Sequence, residues 1–347
     1  MTTTATVSVA VVGLGAMGSR LAANLLAAGH RVTVANRSLG PVAELADRGA
    51  VAASSPREAA AAADVVLVCV ADDEASRSVW LDPGHGVAAG LRASTVGVET
   101  STVSPIWARE LAAAVTAAGR RFVEAPMIGS RPQAASRSLV HLLAGPDDVL
   151  DDVTPALSVS APTLHRTGPH GSAAVVKLVV NALLATQVAA VSELLDVVGA
   201  AGLDRRAVLD LLTGLPVTSP AAARAGAAML TEPVGPNFPV RLVRKDLRYL
   251  AELAGSVTVP VPVTSTVGRR YDEAAAAGRD GHDITALGRP APAGPSHSPT
   301  RDIRTGTAPD LKELSVTEFR VDGEETQNVS GTYPFGFAPP SSAPGVR

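Results

Sequence analysis

Cysteine and aromatic residues are scarce in this sequence. Cys69 is the one cysteine among 347 residues, and it lies within the apolar run 65–70. A disulfide within the chain is therefore excluded, a reducing compartment is favoured, and we expect Cys69 to pack in the core. Aromatic residues make up only 3% of the chain and are not interleaved with runs of Lys and Arg. Nucleic-acid binding is therefore not expected.

Strong net charge and a long N-terminal hydrophobic run are also missing. The formal net charge is −3 and the pI is about 6.2, which gives no electrostatic reason for a polyanionic partner. The N-terminus has no basic segment, and glycines interrupt its apolar run after a few residues. We therefore expect neither a signal peptide nor a membrane span, no metal site, and a cytoplasmic protein.

Short apolar runs alternate with alanine-rich helical stretches in the first half of the chain. Strands are predicted at residues 7–12, 31–35, 64–70, 94–98, 121–124 and 139–144. This alternation predicts an α/β fold with a doubly wound parallel sheet. From about residue 168 the strand signals cease, and helices are predicted at 173–198, 205–212, 220–230, 240–254 and 264–277.

The composition divides the chain into three parts. We predict an N-terminal Rossmann domain at residues 1–166 and an all-helical domain at 167–288. Residues 289–347 are rich in Pro, Gly, Ser and Thr and show no sustained helical or strand period, so we predict a disordered tail.

The most informative local pattern is a glycine-rich segment, Gly13-Leu14-Gly15-Ala16-Met17-Gly18. A predicted strand precedes it and a helical stretch, 19–28, follows, which is the context that a dinucleotide-binding loop requires. Gly13 allows the tight turn, Gly15 lets the backbone approach a pyrophosphate, and Gly18 lets helix and strand pack closely. We predict a dinucleotide here, with its phosphates at the helix N-terminus; a flavin site or a vestigial site is the alternative.

The end of the second predicted strand selects between NAD and NADP. Enzymes that prefer NAD usually place Asp or Glu there to accept from the ribose 2′-hydroxyl, whereas this chain reads Asn36-Arg37-Ser38. Arg37 can clamp a 2′-phosphate, and Asn36 and Ser38 can donate to its oxygens. We predict NADP(H) as the cofactor; the alternative is a solvated turn with an incidental arginine.

Two loops that follow predicted strands carry candidate binding groups. Residues 100–105 offer hydroxyls and free amides to a nicotinamide ribose or a substrate carboxylate, although Ser104 before Pro105 also fits a plain helix N-cap. Residues 124–130 form a glycine-containing loop at the C-terminal end of a strand. Doubly wound sheets bind ligands at that edge, although the segment can also be merely a turn.

Lys177 and Asn181 lie four residues apart in the longest predicted helix and therefore share one face. The neighbours of Lys177 in the sequence are apolar. A lysine in such a setting is either a surface residue that snorkels or a functional amine whose pKa is lowered by burial. Lys245 and Asp246, taken alone, are a solvated charge pair.

In this order and spacing, the segments resemble the β-hydroxyacid dehydrogenase family, which includes 3-hydroxyisobutyrate dehydrogenase, tartronate semialdehyde reductase and the glyoxylate/succinic semialdehyde reductases. The resemblance covers about residues 7–288. Its elements are GLGAMGSRLAANL (13–25), TSTVSP (100–105), EAPMIGS (124–130), GPHGSAAVVKLVVN (168–181) and RKDL (244–247). The EAP segment and the Asn-Arg dipeptide after the second strand are most similar to the NADPH-using glyoxylate and succinic semialdehyde reductases.

The resemblance implies an NADP(H)-dependent oxidoreductase that interconverts a small hydroxy acid and its aldehyde or keto form. Lys177 is then the acid/base that protonates the carbonyl oxygen as NADPH delivers hydride, and Asn181 positions the lysine or the substrate. Besides residues 13–18 and 36–38, cofactor contacts are expected from Val70, Ala71, Thr102 and Lys245. Substrate contacts are expected from Thr102, Ile128, Gly129, Ser130, Phe238 and Asp246.

One position departs from the family pattern. The family loop usually reads Val-Ser-Gly, with the serine contacting the substrate carboxylate, whereas this chain has Met127-Ile128-Gly129. The change removes a charge-assisted hydrogen bond worth about 1.5 to 3 kcal/mol and adds apolar contact. A bulkier or less acidic substrate is therefore expected, unless Ser130 or Arg131 receives the carboxylate.

Two other functions are compatible with the motifs. Imine reductases share this fold, prefer NADPH and often carry an apolar loop of this type, but they generally lack the lysine. Lys177 and Asn181 therefore favour carbonyl chemistry. The same two residues disfavour a non-catalytic protein that senses a dinucleotide and binds a partner through its tail.

The longest helix also predicts an assembly. Residues 171–198 are apolar around most of the helix, so one small domain cannot easily cover them. We expect a homodimer or tetramer formed through the helical domain, as in the family. Residues 278–287 resemble the family's closing segment, and we expect His282 to be structural.

Overall fold

The computed structural model describes residues 6–231 and 235–287. An N-terminal Rossmann domain is followed by a helical domain, which confirms the predicted fold class. The last strand of the sheet ends at Gly168, two residues beyond the predicted boundary at 166. The predicted disordered tail, 289–347, lies outside the described residues.

Within the described residues, nine strands form one sheet. They are β1 (Ser8–Val12), β2 (Arg31–Ala35), β3 (Val51–Ala52), β4 (Val65–Val68), β5 (Val96–Glu99), β6 (Arg121–Glu124), β7 (Met127–Ile128), β8 (Val140–Ala144) and β9 (Thr163–Gly168). Their order is β3-β2-β1-β4-β5-β6-β8-β7, with β9 paired to β8. Strands β1 to β6 pair in parallel, whereas β8 runs antiparallel to β6 and β7.

The centre of the sheet is buried on both faces. Every residue of β1 and β4 is buried, and most are valine, as expected where helices cover both sides of a parallel sheet. The chain order reverses between β1 and β4, because β1 leads outward to β2 while β4 leads to β5 on the other side. Ligands bind at the carboxyl ends of the strands next to such a reversal, and the glycine-rich segment follows β1 there.

Helices connect the strands of the Rossmann domain. They are α1 (Gly18–Ala27), α2 (Leu39–Ala46), α3 (Pro56–Ala61), α4 (Asp73–Leu81), α5 (Val87–Gly90), α6 (Pro105–Ala117), α7 (Arg131–Ala135) and α8 (Asp147–Leu157). The expected cap of α6 is confirmed, because the Ser104 side chain accepts from the Trp107 N–H at 3.1 Å and Pro105 occupies the first turn.

The helical domain is built around one long helix. Its elements are α9 (Ser172–Ala200), α10 (Arg205–Thr213), α11 (Pro220–Met229), α12 (Val240–Ser256), α13 (Pro262–Ala274) and a π-helical turn (Ala275–Arg279). Ala185 and Val188 of α9 join Val243 of α12 and Tyr271 of α13 in a buried cluster. The face of α9 that carries these residues also carries Lys177 and Asn181 toward α12.

By length and composition alone, α9 can also cross a membrane, since an 18-residue window has a mean hydropathy of 1.9. The central helix of a water-exposed helical domain passes the same test, and the contacts of α9 with α11, α12 and α13 are of that kind. The hydrophobicity of α9 therefore does not distinguish a membrane-spanning helix from the central helix of a helical domain.

The end of α12 stores backbone strain at one residue. Val259 N–H bonds to the Ala254 carbonyl at 2.9 Å and Thr258 N–H to the Gly255 carbonyl at 3.2 Å, which is the Schellman arrangement. Thr258 occupies the left-handed position with φ of 59°, where glycine is usual. A β-branched residue pays about 1 to 2 kcal/mol there.

We expect Thr258→Gly to raise the free energy of unfolding by about 1 kcal/mol, because glycine adopts the left-handed conformation without that penalty. Urea denaturation of the full chain measures the change. Ala251→Gly, in the exposed face of the same helix, should instead lower stability by about 1 kcal/mol. A loss of stability in Thr258→Gly would contradict the assignment of strain.

Candidate active site at the carboxyl edge of the sheet

The glycine-rich segment follows β1 and leads into α1, as the sequence predicts, and two of its three glycines have a steric reason. Gly13 has φ of 91°, and a Cβ there would lie 2.2 Å from the Cys69 carbonyl oxygen. A Cβ on Gly18 would lie 1.9 Å from the Gly13 carbonyl oxygen. Gly15 differs, because a Cβ there would meet no atom within 4 Å. The space over Gly15 is therefore open on the side where a pyrophosphate approaches in this fold.

The backbone at the start of α1 fits an anion. Residues 15 and 16 are exposed, and within the described residues the N–H groups of 15, 16 and 17 donate to no other group. Unpaired amides at a helix N-terminus, together with the helix dipole, attract phosphate. The open space and the free amides both fit a dinucleotide pyrophosphate.

Of the three residues after β2, the Asn36 side chain is hydrogen-bonded to the backbone, whereas the side chains of Arg37 and Ser38 make no hydrogen bond within the described residues. Asn36 Oδ1 accepts from the Leu14 N–H at 3.0 Å and its Nδ2 donates to the Ser38 carbonyl at 3.0 Å, so it fixes the glycine-rich segment. Arg37 and Ser38 are exposed, and the Ser38 side chain makes no capping bond to α2. The guanidinium and the hydroxyl are thus available to a ligand, whereas Asn36 acts on the loop.

Lys177 and Asn181 form the centre of a buried polar group. Both are 7% exposed, and Lys177 Nζ donates to Asn181 Oδ1 at 3.0 Å. Asn181 Nδ2 donates to Asp246 Oδ2 at 2.6 Å. Because a carboxylate only accepts, Asp246 turns the amide nitrogen toward itself and leaves the amide oxygen for the lysine. Among residues 6–231 and 235–287, Nζ has no other hydrogen-bond partner, so two of its N–H donors can reach a ligand.

Burial changes the acidity of this lysine. It lowers the pKa of Lys177 to about 8, while the nearby Asp246 carboxylate opposes the shift and Lys245 adds to it. Desolvation penalises the ammonium form, so the amine can gain and lose a proton near neutral pH. The sequence left a snorkelling surface residue as the alternative, and the burial of Lys177 excludes that alternative.

Lys245 joins the helical domain to the Rossmann domain. Its ammonium donates to the Thr102 carbonyl, lies 3.1 Å from Asp246 Oδ1, and sits 5.1 Å from the centre of the Tyr249 ring. The Tyr249 hydroxyl in turn accepts from the Asp73 N–H at 3.1 Å, at the start of α4. The pair 245–246 is therefore a buried bridge rather than the solvated pair that its sequence suggests when taken alone.

Comparisons with known proteins match both domains of the chain. Residues 8–168 match the family model of the NAD-binding domain of 6-phosphogluconate dehydrogenase, and residues 171–291 match that of NADP-dependent 3-hydroxyisobutyrate dehydrogenase. Glyoxylate/succinic semialdehyde reductase 1 of Arabidopsis thaliana is 31% identical over 279 residues, which cover 80% of this chain and 96% of that protein. The chain belongs to the β-hydroxyacid dehydrogenase family.

Other relatives of this dehydrogenase-family chain differ in length. The cytokine-like nuclear factor N-PAC of Xenopus tropicalis is 31% identical over 277 residues, which cover 80% of this chain but 52% of that protein. The chain thus spans about half the length of N-PAC, so the similarity does not extend to the remainder of that protein.

Solved structures share the two-domain architecture. The 3-hydroxyisobutyrate dehydrogenase of Mycobacterium tuberculosis, solved with L-serine, has a TM-score of 0.73 at 27% identity, covering 82% of this chain and 98% of its own. Psf3 in complex with NADP⁺ has a TM-score of 0.75 at 26% identity, covering 80% and 98%. An imine reductase from Pseudomonas sp., with a TM-score of 0.54 at 23% identity and coverage of 82% and 98%, shares the fold alone.

The segment at the position of the family's substrate loop, residues 127–130, is more apolar in this chain. Ile128 is half-buried and packs against Leu142, Ala144 and Ala173. Ala173 lies one helical turn before Lys177, so this apolar side chain borders the same face of α9. The Ser130 hydroxyl donates to Gln133 Oε1 at 2.9 Å, and the Ser130 N–H donates to the same oxygen at 3.0 Å. That hydroxyl serves the cap of α7.

The opposite side of the site comes from the segment before α12. Phe238 is half-buried and packs on the core of the helical domain. The Asp283 side chain accepts from the Asn237 N–H at 2.7 Å and the Phe238 N–H at 3.1 Å, and thereby fixes this segment. Phe238 directly precedes Pro239, the residue before α12, and α12 carries Asp246; the role of Phe238 in closing the site stays a prediction.

Two buried carboxylates support the site, and the sequence interpretation did not assign them. The first, Glu99, ends β5 and is 1% exposed. It accepts from Ser76 Oγ at 2.5 Å, Trp80 Nε1 at 2.9 Å and the Ser101 N–H at 2.9 Å. Burial raises the pKa of Glu99. Ser101 Oγ also accepts from the Val70 N–H at 2.8 Å, so Glu99 holds together two segments expected to contact the cofactor.

The second carboxylate, Glu124, ends β6 and is 1% exposed. It accepts from the Gly171 N–H and, at 3.3 Å, from the Ala174 N–H at the start of α9. A carboxylate satisfies the free amides of a helix N-terminus and is stabilised by the helix dipole. Glu124 therefore ties the strand before the substrate loop to the helix that carries Lys177. A lone acid ending an apolar strand was the available sequence signal for both carboxylates.

We expect Glu99→Leu to lower the free energy of unfolding by about 3 kcal/mol or more, because it leaves three buried donors without their acceptor. Urea denaturation measures the loss. Glu110→Leu removes a half-exposed carboxylate that pairs with Arg77, and should change stability by less than about 1 kcal/mol. Equal effects of the two substitutions would show that Glu99 does not organise these loops.

Proposed function

We propose that the protein is an NADP(H)-dependent oxidoreductase that interconverts a small hydroxy acid and its aldehyde or keto form. The observation that carries the proposal is Lys177, a buried amine with a pKa of about 8 and two N–H donors free within the described residues. A general acid works best when its pKa lies near the working pH. The bound nicotinamide supplies or accepts the hydride.

The residues around Lys177 give it one orientation. Asp246 holds the Asn181 amide, and the amide oxygen holds the ammonium, so the remaining N–H donors point away from Asn181. A substrate carbonyl oxygen that accepts from Nζ gains stabilisation as negative charge develops on it, and then takes the proton. In the reverse direction, the neutral amine takes the proton of the alcohol.

Arg37 and Ser38 support NADP(H) over NAD(H). Both side chains are exposed beside the glycine-rich segment, and no carboxylate occupies positions 36–38 to accept from a ribose 2′-hydroxyl. A guanidinium pairs with a 2′-phosphate through charge-assisted hydrogen bonds. Val70 and Ala71, at the carboxyl end of β4, and Thr102, beyond β5, complete the proposed cofactor contacts.

The test is a substrate panel followed through NADPH absorbance. The full chain is incubated with NADPH or NADH and with glyoxylate, longer ω-oxo acids, or cyclic imines. We expect oxidation of NADPH by oxo acids and a lower KM for NADPH than for NADH. Reduction of imines alone would establish the imine-reductase alternative, and a preference for NADH would overturn the cofactor assignment.

We also propose that α9 mediates self-association. Val176, Val179 and Leu183 are exposed and form one stripe along this helix. A second copy of the helical domain would remove that stripe from water. Sedimentation of the full chain at micromolar concentration should give a dimer or tetramer, and a monomer would contradict this proposal. We further propose that the enzyme is located in the cytoplasm and acts on a small molecule.

A further inference from the structure

Arg131 is the cation at the outer end of the substrate loop. It follows the loop directly as the first residue of α7, and its side chain is half-buried. Its Nη1 donates to the Pro236 carbonyl at 3.2 Å, so the guanidinium reaches across to the segment before α12. Arg131 therefore links the substrate loop of the Rossmann domain to the segment before α12 of the helical domain, and we call the space between these two segments the cleft.

The polar partner of Arg131 is neutral. In residues 6–231 and 235–287, no ion pair includes Arg131, and the Pro236 carbonyl is its hydrogen-bond acceptor. A guanidinium has five N–H donors and binds a planar carboxylate through two of them. A half-buried guanidinium with one carbonyl acceptor has the capacity to bind an anion that enters the cleft.

The neighbouring positions cannot serve the same purpose. Ile128 has no hydrogen-bonding group, and it packs on Ala173 one turn before Lys177. The Ser130 hydroxyl is already bonded to Gln133. Among these three side chains of the loop, Arg131 is thus the one left to bind a substrate carboxylate. Ile128 lies three residues before it and packs on Ala173, one turn before Lys177.

We propose that Arg131 binds the distal carboxylate of an ω-oxo acid whose carbonyl lies at Lys177 and whose methylene chain lies against Ile128. The substrate class is therefore an oxo acid with its two functional groups separated by several carbons, rather than a 2-oxo acid. This inference rests on the proposed function for the carbonyl end, but the carboxylate subsite has its own readout. Within the segment 235–239 that faces Arg131, the N–H groups of Asn237 and Phe238 are held by the Asp283 carboxylate.

The test is binding of glutarate, a dicarboxylate that cannot be reduced, to the full chain saturated with NADP⁺ or NAD⁺. Isothermal titration calorimetry should show glutarate binding about 10- to 100-fold weaker in Arg131→Met than in the natural protein, because a charge-assisted hydrogen bond is lost. Arg131→Lys, which keeps the charge without the bidentate geometry, should fall between them. Arg137→Met, at an exposed position two residues beyond the end of the same short helix, should leave glutarate binding unchanged.

Kinetics separate this inference from the proposed function. In Arg131→Met, kcat/KM for longer ω-oxo acids should fall by the same factor, while that for glyoxylate should change by less than about threefold. Oxo-acid reduction with no effect of Arg131→Met would overturn the subsite and leave the proposed function standing. If glutarate binding depends on Arg131 but the protein reduces no oxo acid, the subsite stands and the proposed function is wrong.

A further variant tests whether a carboxylate of the chain itself, Glu232, competes with glutarate for Arg131. Glu232 precedes the 235–239 segment and lies outside the described residues. Glu232→Gln should leave glutarate affinity unchanged or raise it. If Arg131→Met and Glu232→Gln instead lower the melting temperature equally and neither alters glutarate binding, Arg131 belongs to an internal ion pair and the proposal is wrong.

Discussion

Lys177→Ala should lower kcat for carbonyl reduction by about 1,000-fold or more while NADPH still binds. The ammonium has two roles, because it stabilises the developing alkoxide and supplies the proton. Loss of a general acid costs about 100- to 10,000-fold, and loss of the electrostatic stabilisation adds to this. Stopped-flow absorbance measures turnover, and NADPH fluorescence measures binding.

Two variants control this experiment. Lys177→Met keeps most of the side-chain volume beside Asn181 and should show the same loss, which excludes a packing effect. Lys312→Ala removes another of the three lysines, in the tail, and should keep full activity. Full turnover by either Lys177 variant would refute its catalytic assignment, and lost NADPH binding would show that the substitution acts on the cofactor site.

Arg37→Ala should raise KM for NADPH by about 10- to 100-fold and leave KM for NADH nearly unchanged. The expected loss is that of a charge-assisted hydrogen bond to the 2′-phosphate, about 1.5 to 3 kcal/mol, and NADH has no phosphate there. Steady-state kinetics with each cofactor measure the split between them.

The matched control for Arg37 is Arg48→Ala. Arg48 is an exposed arginine beyond the end of α2, and it should affect neither cofactor. An unchanged KM for NADPH in Arg37→Ala would assign Arg37 to a solvated turn, which is the alternative that the sequence left open. Equal losses with NADPH and NADH would point to a disturbed glycine-rich segment instead.

The periodicity of hydrophobic residues along the chain made the main architecture predictable. The central strands are buried on both faces and their sequences are continuous apolar runs. At Gly13 and Gly18 a side chain would clash with the backbone, so glycine is required there. The helices α9 to α13 were predicted within a few residues of their observed bounds. These elements are determined by local pattern, so one sequence suffices.

Elements that depend on tertiary pairing were missed. β3 and β7 have two residues each, too short for a period, and β9 alternates too weakly and is mostly exposed. The antiparallel turn of β7 and β8 at the sheet edge was not predicted, because strand direction depends on which partner a segment meets.

In the site, too, contacts within one helix were predictable from the sequence, whereas contacts between distant segments were not. The spacing of Lys177 and Asn181 placed them on one helix face, but the contact of Asn181 with Asp246 joins residues 65 positions apart. We predicted a cofactor contact for Asn36, but the sequence did not reveal that its amide also holds the glycine-rich segment through the Leu14 N–H. Such contacts follow from packing between elements, which a single sequence does not encode locally.

The pH dependence of kcat in both directions tests the central role of Lys177 most directly. With a pKa of about 8, the ammonium that donates in reduction is lost as pH rises, so kcat for reduction should fall through about pH 8. The neutral amine that accepts in oxidation is gained over the same range, so kcat for oxidation should rise. Opposite slopes centred near pH 8 are the predicted result. Two flat profiles, or slopes of the same sign, would contradict a proton transfer by Lys177.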